Sequence, residues 1–410
     1  MKYKKPHRPN KLLGNLIDFL VMLLLFSGPV LNSFLWLFGI TATSGQLAII
    51  YLFVDVTSII LYFCVKKPHV PKNLVYTVCV LALILVGFIV TSQYYQDYNS
   101  QFYSELKLYL ATVPAVLALS LTITHTRHFN INTSLIFYAD IALTLILVFL
   151  IRTYSKIEGS ALIHDDSGFL YQNISYYSAF NVGLSLFLLY ERKFRKAITR
   201  VLCYVLIVVQ VATCLLSGGR GGVLLAIVLI TLYVILMLRK NFLLLIPVIL
   251  VVFVFLFIPI PGIENESIAR SLSVFGGGGI DELRADLQAQ AISCFLQKPI
   301  FGNGIGSVFY LLGIYSHNYV TDILCETGIV GLLLAVLLFV AFVRMAGTAF
   351  KTGSMYRLAI VFFICGMVMN TFSGYIWVNQ FVMLPLVSVS LSEKNNGQTV
   401  KRKSLLKRTV

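Results

Sequence analysis

This sequence predicts an all-α fold, a polytopic membrane bundle of about twelve transmembrane helices, from its composition, its apolar runs and its charge distribution. Of its 410 residues, 58% are hydrophobic and only 12% are charged, whereas a soluble domain is typically about 25% charged. Charge at half that density cannot cover a water-facing surface, so the excess apolar side chains must face lipid. We therefore expect a single integral membrane domain over residues 1–410.

Apolar runs long enough to cross a membrane recur along the chain, since a transmembrane helix needs about 20 apolar residues. The runs are Leu16–Phe38, Gly45–Val65, Leu74–Thr91, Leu106–Thr124, Ser134–Ile151, Ile174–Tyr190, Ile198–Leu216, Gly222–Leu238, Phe242–Ile260, Tyr319–Val343, Leu358–Phe372 and Tyr375–Ser392. The sixth is rich in Tyr and Asn, and only Ser373 and Gly374 separate the last two. Totals of about eleven or thirteen spans are therefore the alternatives.

The distribution of Lys and Arg sets the predicted orientation. With the N-terminus inside, most of the 32 Lys and Arg residues lie in cytoplasmic segments, and acidic residues are concentrated in the outer loops. This positive-inside pattern predicts that both termini are cytoplasmic. It also explains the net charge of +15 without a nucleic-acid partner. The basic cytoplasmic tail, residues 393–410, is expected to be attracted to anionic lipid headgroups.

One extracytoplasmic loop, residues 261–318, is too long to be a simple connector, and loops of such length are usually functional. Apolar residues recur at helical spacing between Asp281 and Lys298. This spacing predicts an amphipathic helix on the membrane surface or over a cavity mouth. Pro299 ends this helix, and the alternating glycines of Gly302–Gly306 predict a flexible turn.

Three side chains stand out on the outer side, where cations are otherwise scarce. Arg220 lies among glycines, which let a guanidinium and backbone N–H groups approach phosphate oxygens; an Arg reaching lipid headgroups from a tight turn is the alternative. Arg284 lies on the loop helix, beside acidic residues that fit an ordinary amphipathic surface helix equally well. His317 can accept a proton from a hydroxyl nucleophile, or it can serve as a polar interface residue.

Two carboxylates follow in the tenth predicted span. Asp322 and Glu326 lie on one helix face, because residues four apart are neighbours on a helix. Ionisable residues inside a membrane are costly and usually face a bundle interior or a wet cavity. Structural hydrogen bonding is the alternative role, as it is for Asp18, Asp55 and Asp140.

Several short motifs, taken in order, resemble a known family. They are Leu216–Gly222, Gly302–Gly306, Ser316–Tyr319 and Glu326–Gly331. Together with Arg284, they resemble the signature of the O-antigen ligase and O-antigen polymerase superfamily. The resemblance spans about Thr213 to Leu334. Gly219 stands where that family usually has a second Ser, and Asp322 where it usually has an apolar or amide residue.

The resemblance implies a glycosyltransferase at the outer face of the bacterial cytoplasmic membrane. Its donor would be a glycan on a polyprenyl diphosphate, and its acceptor a sugar hydroxyl on another lipid-linked repeat (polymerase) or on a different carrier (ligase). Arg220 and Arg284 would neutralise the diphosphate, and His317 would activate the acceptor. The expected substrate-binding residues are Ser217, Asn318, Asp322 and Glu326. No metal or other cofactor is expected, and the seven cysteines contain no CxxC pair.

A lipid-linked glycan flippase or a secondary transporter is the competing class. A transporter would more typically have paired broken helices in two corresponding halves, and a flippase would need cations deep in a central cavity. This sequence instead has one large asymmetric outer loop and acidic mid-span residues. We therefore favour a polymerase of capsular polysaccharide, exopolysaccharide or O-antigen, with flippase and chain-length regulator proteins as candidate partners.

Overall fold

Regular structure in the described part of the chain is helical. The computed structural model describes residues 31–40, 44–65, 74–125, 133–154, 171–191, 197–238, 282–349, 354–372 and 374–379. Its α-helices are α1 (Ser44–Val65), α2 (Leu74–Tyr95), α3 (Ser100–His125), α4 (Thr133–Tyr154), α5 (Tyr171–Glu191), α6 (Ala197–Leu216), α7 (Arg220–Leu238), α8 (Glu282–Gln297), α9 (Ser307–Leu311), α10 (Tyr319–Ala349) and α11 (Ser354–Phe372). A 3-10 helix, Ile376–Val378, follows α11, and residues 31–37 are also helical. The predicted all-α fold is confirmed in these residues.

Among the described residues, four helices contain segments long and apolar enough to cross a membrane. The segments are Leu74–Tyr95, Thr133–Arg152, Ala197–Leu216 and Tyr319–Val340. They support a membrane protein, whereas the total of about twelve spans and the cytoplasmic termini stay predictions. The predicted span Phe242–Ile260, the loop residues before Glu282 and the basic tail lie outside the described residues.

The helix bounds follow the apolar runs to within a few residues at most ends. The predicted span Ile198–Leu216 corresponds closely to α6. In contrast, α3 begins at Ser100, well before the predicted Leu106. The Asn99 side chain explains this early start, because its Oδ1 accepts the Phe102 N–H at 3.0 Å and caps the first turn.

Helix α5 lies inside the bundle, where it packs against α4, α6, α7 and α11. Its residues from Ile174 to Leu189 are almost all buried. This position explains the weak apolar signal of the sixth predicted span, because polar side chains there face other helices rather than lipid. Ser185 donates to Asp140 Oδ2 at 2.5 Å, and Gln210 donates to Asp140 Oδ1 at 2.7 Å. The Asp140 carboxylate thus has a structural hydrogen-bonding role.

Contacts at the two ends of α5 fix the directions of its neighbours. Near its start, Ser175 Oγ donates to the Gly219 carbonyl at 2.7 Å, in the turn before α7. At its end, Glu191 forms a salt bridge with Arg357 in the first turn of α11. Helix α11 therefore runs antiparallel to α5, and the 3-10 helix that follows it returns to the side of the bundle where α7 begins. We call this side the Arg220 face.

The last predicted span begins differently from the expectation. The apolar run predicts a transmembrane helix from Tyr375, but Ile376–Val378 form a 3-10 helix and Asn379 has an extended backbone with φ −87° and ψ 105°. The reason is tertiary, because Tyr375 and Trp377 both donate hydrogen bonds to a carboxylate on α10. The prediction of an α-helix beginning at Tyr375 is therefore wrong.

Candidate functional site

Helix α10 is interrupted inside the candidate site. At Gly328 the backbone leaves the helical region, with φ 62° and ψ −160°. Such a positive φ is costly for a residue with a side chain. A Cβ atom at this position would also lie 2.4 Å from the Ile300 carbonyl oxygen. The break therefore requires glycine, and it brings another segment of backbone against α10.

The Pro299–Gly306 segment fills the break in α10. Two of its carbonyls accept hydrogen bonds from the first N–H groups of the second half-helix, and two of its N–H groups donate to the last carbonyls of the first half-helix. The pairs are Ile329 to Pro299 (2.9 Å), Val330 to Ile300 (3.2 Å), Asn303 to Cys325 (2.9 Å) and Gly304 to Glu326 (2.8 Å). Backbone groups exposed by a helix break are thus satisfied within the protein.

The alternating glycines let this segment approach two other helices. A Cβ atom on Gly304 would lie 2.3 Å from Thr91 Oγ1 of α2, and one on Gly306 would lie 2.4 Å from the Phe102 ring of α3. Both glycines also have positive φ, 101° and 85°. The sequence predicted a flexible turn at Gly302–Gly306, but the structure holds this segment between three helices by close contact and hydrogen bonds.

Glu326 lies at the end of the first half-helix and is completely buried. Its Oε1 accepts the Gly306 N–H at 2.9 Å and the Tyr375 hydroxyl at 2.6 Å. Its Oε2 accepts the Trp377 Nε1–H at 2.5 Å. Three donors from two other segments satisfy the two carboxyl oxygens, as buried polar groups require. Glu326 therefore ties the Gly302–Gly306 segment and the 3-10 helix to α10.

The loop that carries His317 is held on both sides of that residue. The Ser316 N–H donates to Asp322 Oδ1 at 2.8 Å. The Asn318 side chain caps α10, since its Oδ1 accepts the Val320 N–H at 2.9 Å. His317 itself has a left-handed backbone, with φ 60°, a conformation that is uncommon for a residue with a side chain. These contacts hold the backbone on both sides of His317.

The His317 imidazole packs against an aromatic neighbour. The Tyr315 ring lies edge-on to it, with 4.5 Å between the ring centroids. The Tyr315 ring also stacks on Tyr375, at 6.4 Å between centroids, and Tyr375 donates to Glu326. The imidazole is thus connected to the buried carboxylate through two tyrosine rings.

Arg220 begins α7, directly after the glycine turn, and its side chain is half-buried. The turn packs tightly on α5, because a Cβ atom on Gly219 would lie 2.4 Å from Ser175 Cβ. That contact explains why glycine stands where the family usually has a second Ser. In the same turn, the buried Ser217 hydroxyl donates to the Cys214 carbonyl at 2.7 Å.

Arg284 lies on α8, the amphipathic helix that the spacing predicted. Leu287 and Ala291 are buried, whereas Ile292 and Leu296 are exposed. Helix α8 packs against α10, next to the segment that fills the break. Arg284 is half-buried on this helix. Helix α8 therefore packs on α10, and Arg284 lies in its first turn.

The structure brings some of the predicted site residues together directly and relates others by topology. The Asp322 N–H donates to the Asn318 carbonyl at 3.0 Å. Ring contacts and the Tyr375 hydroxyl connect His317 to Glu326. The 3-10 helix that contacts Glu326 lies on the Arg220 face. The residues around Glu326 therefore lie on the same side of the bundle as the turn that precedes Arg220. A common cavity for Arg220, Arg284 and His317 stays a prediction.

Sequence reasoning missed Tyr375 and Trp377, which hold both oxygens of Glu326. Aromatic residues at the start of an apolar run usually indicate interface anchoring. The polar groups of these residues were the signal that could have found them, because a buried Tyr hydroxyl or Trp N–H usually has a hydrogen-bond partner. Within the described part of the chain, no group of three or more His, Cys, Asp or Glu residues is arranged to hold a metal ion.

Comparison with known proteins identifies the region that carries the site. Residues 205–336 match a family model described as O-antigen ligase. No curated protein matches the chain. The matched region runs from within α6 to within α10 and includes all the predicted site residues, from Ser217 to Glu326. The match supports the resemblance to the O-antigen ligase and polymerase superfamily, and with it a glycan transfer function of the O-antigen ligase type.

Replacing Gly328 by Ala should prevent normal folding. The methyl group would meet the Ile300 carbonyl, and the positive φ would cost a further ~1–3 kcal/mol, the strain expected of a non-glycine residue there. Gly313→Ala is the matched control, because Gly313 also has positive φ, 81°, but no atom lies within 4 Å of the point that its Cβ would occupy. We expect a monodisperse elution peak from Gly313→Ala and little or none from Gly328→Ala. Equal yields would contradict the proposed packing at the break.

Proposed function

We propose that this membrane protein is a glycosyltransferase that polymerises polyprenyl-diphosphate-linked oligosaccharide repeats at the outer face of the bacterial cytoplasmic membrane. The family match over residues 205–336 supports glycan transfer. The observation that carries the proposal is the arrangement of the Arg220 turn and the His317 loop on one side of the bundle. The product would be a capsular polysaccharide, an exopolysaccharide or an O-antigen.

The reaction requires stabilisation of an anionic leaving group. The acceptor hydroxyl oxygen attacks the anomeric carbon of the donor sugar, and the bond from that carbon to the phosphate oxygen breaks. The lipid diphosphate leaves with the electron pair. Arg220 and Arg284 would stabilise it through charge-assisted, bidentate hydrogen bonds, which require no metal ion.

The acceptor must lose a proton in the same reaction. His317 would take it as a general base, since an imidazole titrates near neutral pH. The fixed loop around His317 supports this role, because a general base must stay within hydrogen-bond reach of the proton that it removes. Ser217, Asn318 and Asp322 would contact the substrates, and Glu326 would orient the groups around it.

A ligase that transfers the finished glycan to another carrier is the sibling function, since the same groups would serve it. A flippase or transporter is less well supported. Its anionic substrate would need cations deep in the bundle, whereas the described buried ionisable side chains in the helices include Asp55, Asp140, Asp322 and Glu326, all acidic.

Deleting the gene and separating the surface glycan on a gel tests the reaction directly. A polymerase predicts that the ladder of chain lengths collapses to a single repeat unit, because no repeat can be joined to another. Complementation with the intact gene should restore the ladder. Full-length chains that accumulate on the lipid carrier would instead identify a ligase, and an unchanged ladder would reject both activities.

Alanine substitution tests the catalytic assignments. His317→Ala and Arg220→Ala should each abolish detectable polymer, because loss of a general base alone typically slows a reaction by about 10²–10⁴-fold. Arg200→Ala is the charge-matched control; Arg200 is exposed in the first turn of α6, at the opposite end of that helix from the Arg220 turn, and polymer should stay normal. Membrane levels of each variant are measured by immunoblot. Normal polymer from either test variant would remove that residue from the mechanism.

Chelation tests the absence of a metal requirement. Polymerisation by purified protein should survive excess EDTA, because two guanidinium groups supply the positive charge that a metal ion would otherwise provide. The assay compares polymer yield before chelation, after chelation and after addition of Mg²⁺ or Mn²⁺. Activity that is lost with EDTA and returns with metal would refute the metal-independent mechanism.

A further inference from the structure

Two aromatic side chains that follow α11 in the sequence, outside the matched region, contact the site. Tyr375 is almost completely buried, and its hydroxyl donates to Glu326 Oε1 at 2.6 Å. The Trp377 Nε1–H donates to Glu326 Oε2 at 2.5 Å. Each oxygen of the carboxylate is therefore held by one of them. Because the oxygens of a buried carboxyl group need hydrogen-bond partners, these contacts fix both the carboxyl group and the aromatic rings.

The segment that carries these two residues is also fixed at its other end. The Thr112 hydroxyl on α3 donates to the Val378 carbonyl at 2.8 Å. On the opposite side, the Phe309 ring of α9 packs edge-on against Tyr375, with 4.8 Å between centroids. The Tyr375 ring therefore has a defined place between α3, α9 and α10.

From Tyr375, ring contacts lead to the proposed base. The Tyr315 ring stacks on Tyr375 with 28° between their planes. The His317 imidazole in turn packs on Tyr315, at 62° between planes and 4.5 Å between centroids. A shift of the Tyr375 ring would thus change the surface on which the imidazole rests.

We propose that Tyr375 and Trp377 are positioning residues for the transfer reaction. They hold the Glu326 carboxylate in place, and Tyr375 supports the Tyr315 ring, which orients the His317 imidazole toward the acceptor hydroxyl. The inference rests on the proposed function, because it assumes that His317 acts as the base. It adds two residues from a segment beyond residues 205–336, the part that matches the family.

The test compares Tyr375→Phe and Trp377→Phe with a matched control, Tyr109→Phe. Tyr109 is also a buried tyrosine whose hydroxyl is a hydrogen-bond donor, in its case to the Leu81 carbonyl at 2.5 Å. Its ring contacts Phe88, which also contacts Tyr375. The control therefore removes a tyrosine hydroxyl from the same region of the core but leaves the hydrogen bonds to Glu326 intact.

The variants are purified in lipid nanodiscs and assayed with the lipid-linked repeat units that accumulate in the deletion strain. Tyr375→Phe and Trp377→Phe should lower kcat per folded molecule about tenfold or more, since a misplacement of about 1 Å can cost as much as 10²-fold. KM should change less than about twofold, because uniform binding is not removed. Tyr109→Phe should keep the normal kcat, although it should lower thermal stability as much as Tyr375→Phe does.

A second measurement separates positioning from general stability. Tyr315→Leu removes the ring between Tyr375 and His317, and it should lower kcat by itself. If both rings act along one path, the Tyr315→Leu and Tyr375→Phe double variant should lose little more activity than the more impaired single variant. If the fold losses in kcat of the two single variants multiply in the double variant, the two rings act independently and the shared path is wrong.

The outcomes distinguish this inference from the function on which it rests. If His317→Ala is inactive but Tyr375→Phe and Trp377→Phe both keep the normal kcat per folded molecule, only the positioning proposal fails. If His317→Ala is active, the assignment of the base fails regardless of the aromatic variants. Should Tyr375→Phe not fold, the partly exposed Trp377 provides the test, and a normal kcat for Trp377→Phe overturns the proposal.

Discussion

The break in α10 depends on one constraint, the need to satisfy every polar group that a helix exposes when it is interrupted within a bundle. An unsatisfied backbone group in a membrane interior costs several kcal/mol. The Pro299–Gly306 segment supplies four backbone hydrogen bonds across the break, and Glu326 accepts a fifth from Gly306. The loop segment and the helix therefore form one structural unit. Neither can move without exposing buried polar groups of the other.

That unit explains how a loop can hold His317, the proposed base, in a defined position. A long loop on a membrane protein would ordinarily be mobile, and a mobile imidazole is a poor catalyst, because effective general-base catalysis needs a fixed distance to the reacting proton. Here Asp322 and the Asn318 cap hold the loop on either side of His317, and aromatic rings support the imidazole. In the proposed reaction, arginines would stabilise the leaving group, and preorganisation of this kind would supply the fixed geometry that a metal ion could otherwise provide.

Hydropathy and spacing predicted much of this architecture, including α6, the amphipathic helix α8 and the inward-facing pair Asp322 and Glu326. Those features are local, since they depend on side chains within one or two turns of each other. The break at Gly328 and the 3-10 helix at Ile376–Val378 are not local. The apolar pattern runs through both without a signal, and each is determined by hydrogen bonds to residues distant in sequence. An alternating glycine run predicts a close backbone approach, but it does not identify what approaches.

These contacts show what the region matched by the family contains and what lies outside it. Residues 205–336 contain every predicted site residue, yet the Gly302–Gly306 segment packs on Thr91 and Phe102 of α2 and α3, and Glu326 is held from beyond α11. The matched region thus contains the proposed chemistry, whereas flanking helices build the surroundings that keep it in place. Supporting contacts of this kind tolerate different sequences, provided that the volume and the hydrogen-bond donors are kept. Motif similarity between distant relatives will therefore reveal the reacting groups and overlook residues such as Tyr375 and Trp377, which reach the site only through the fold.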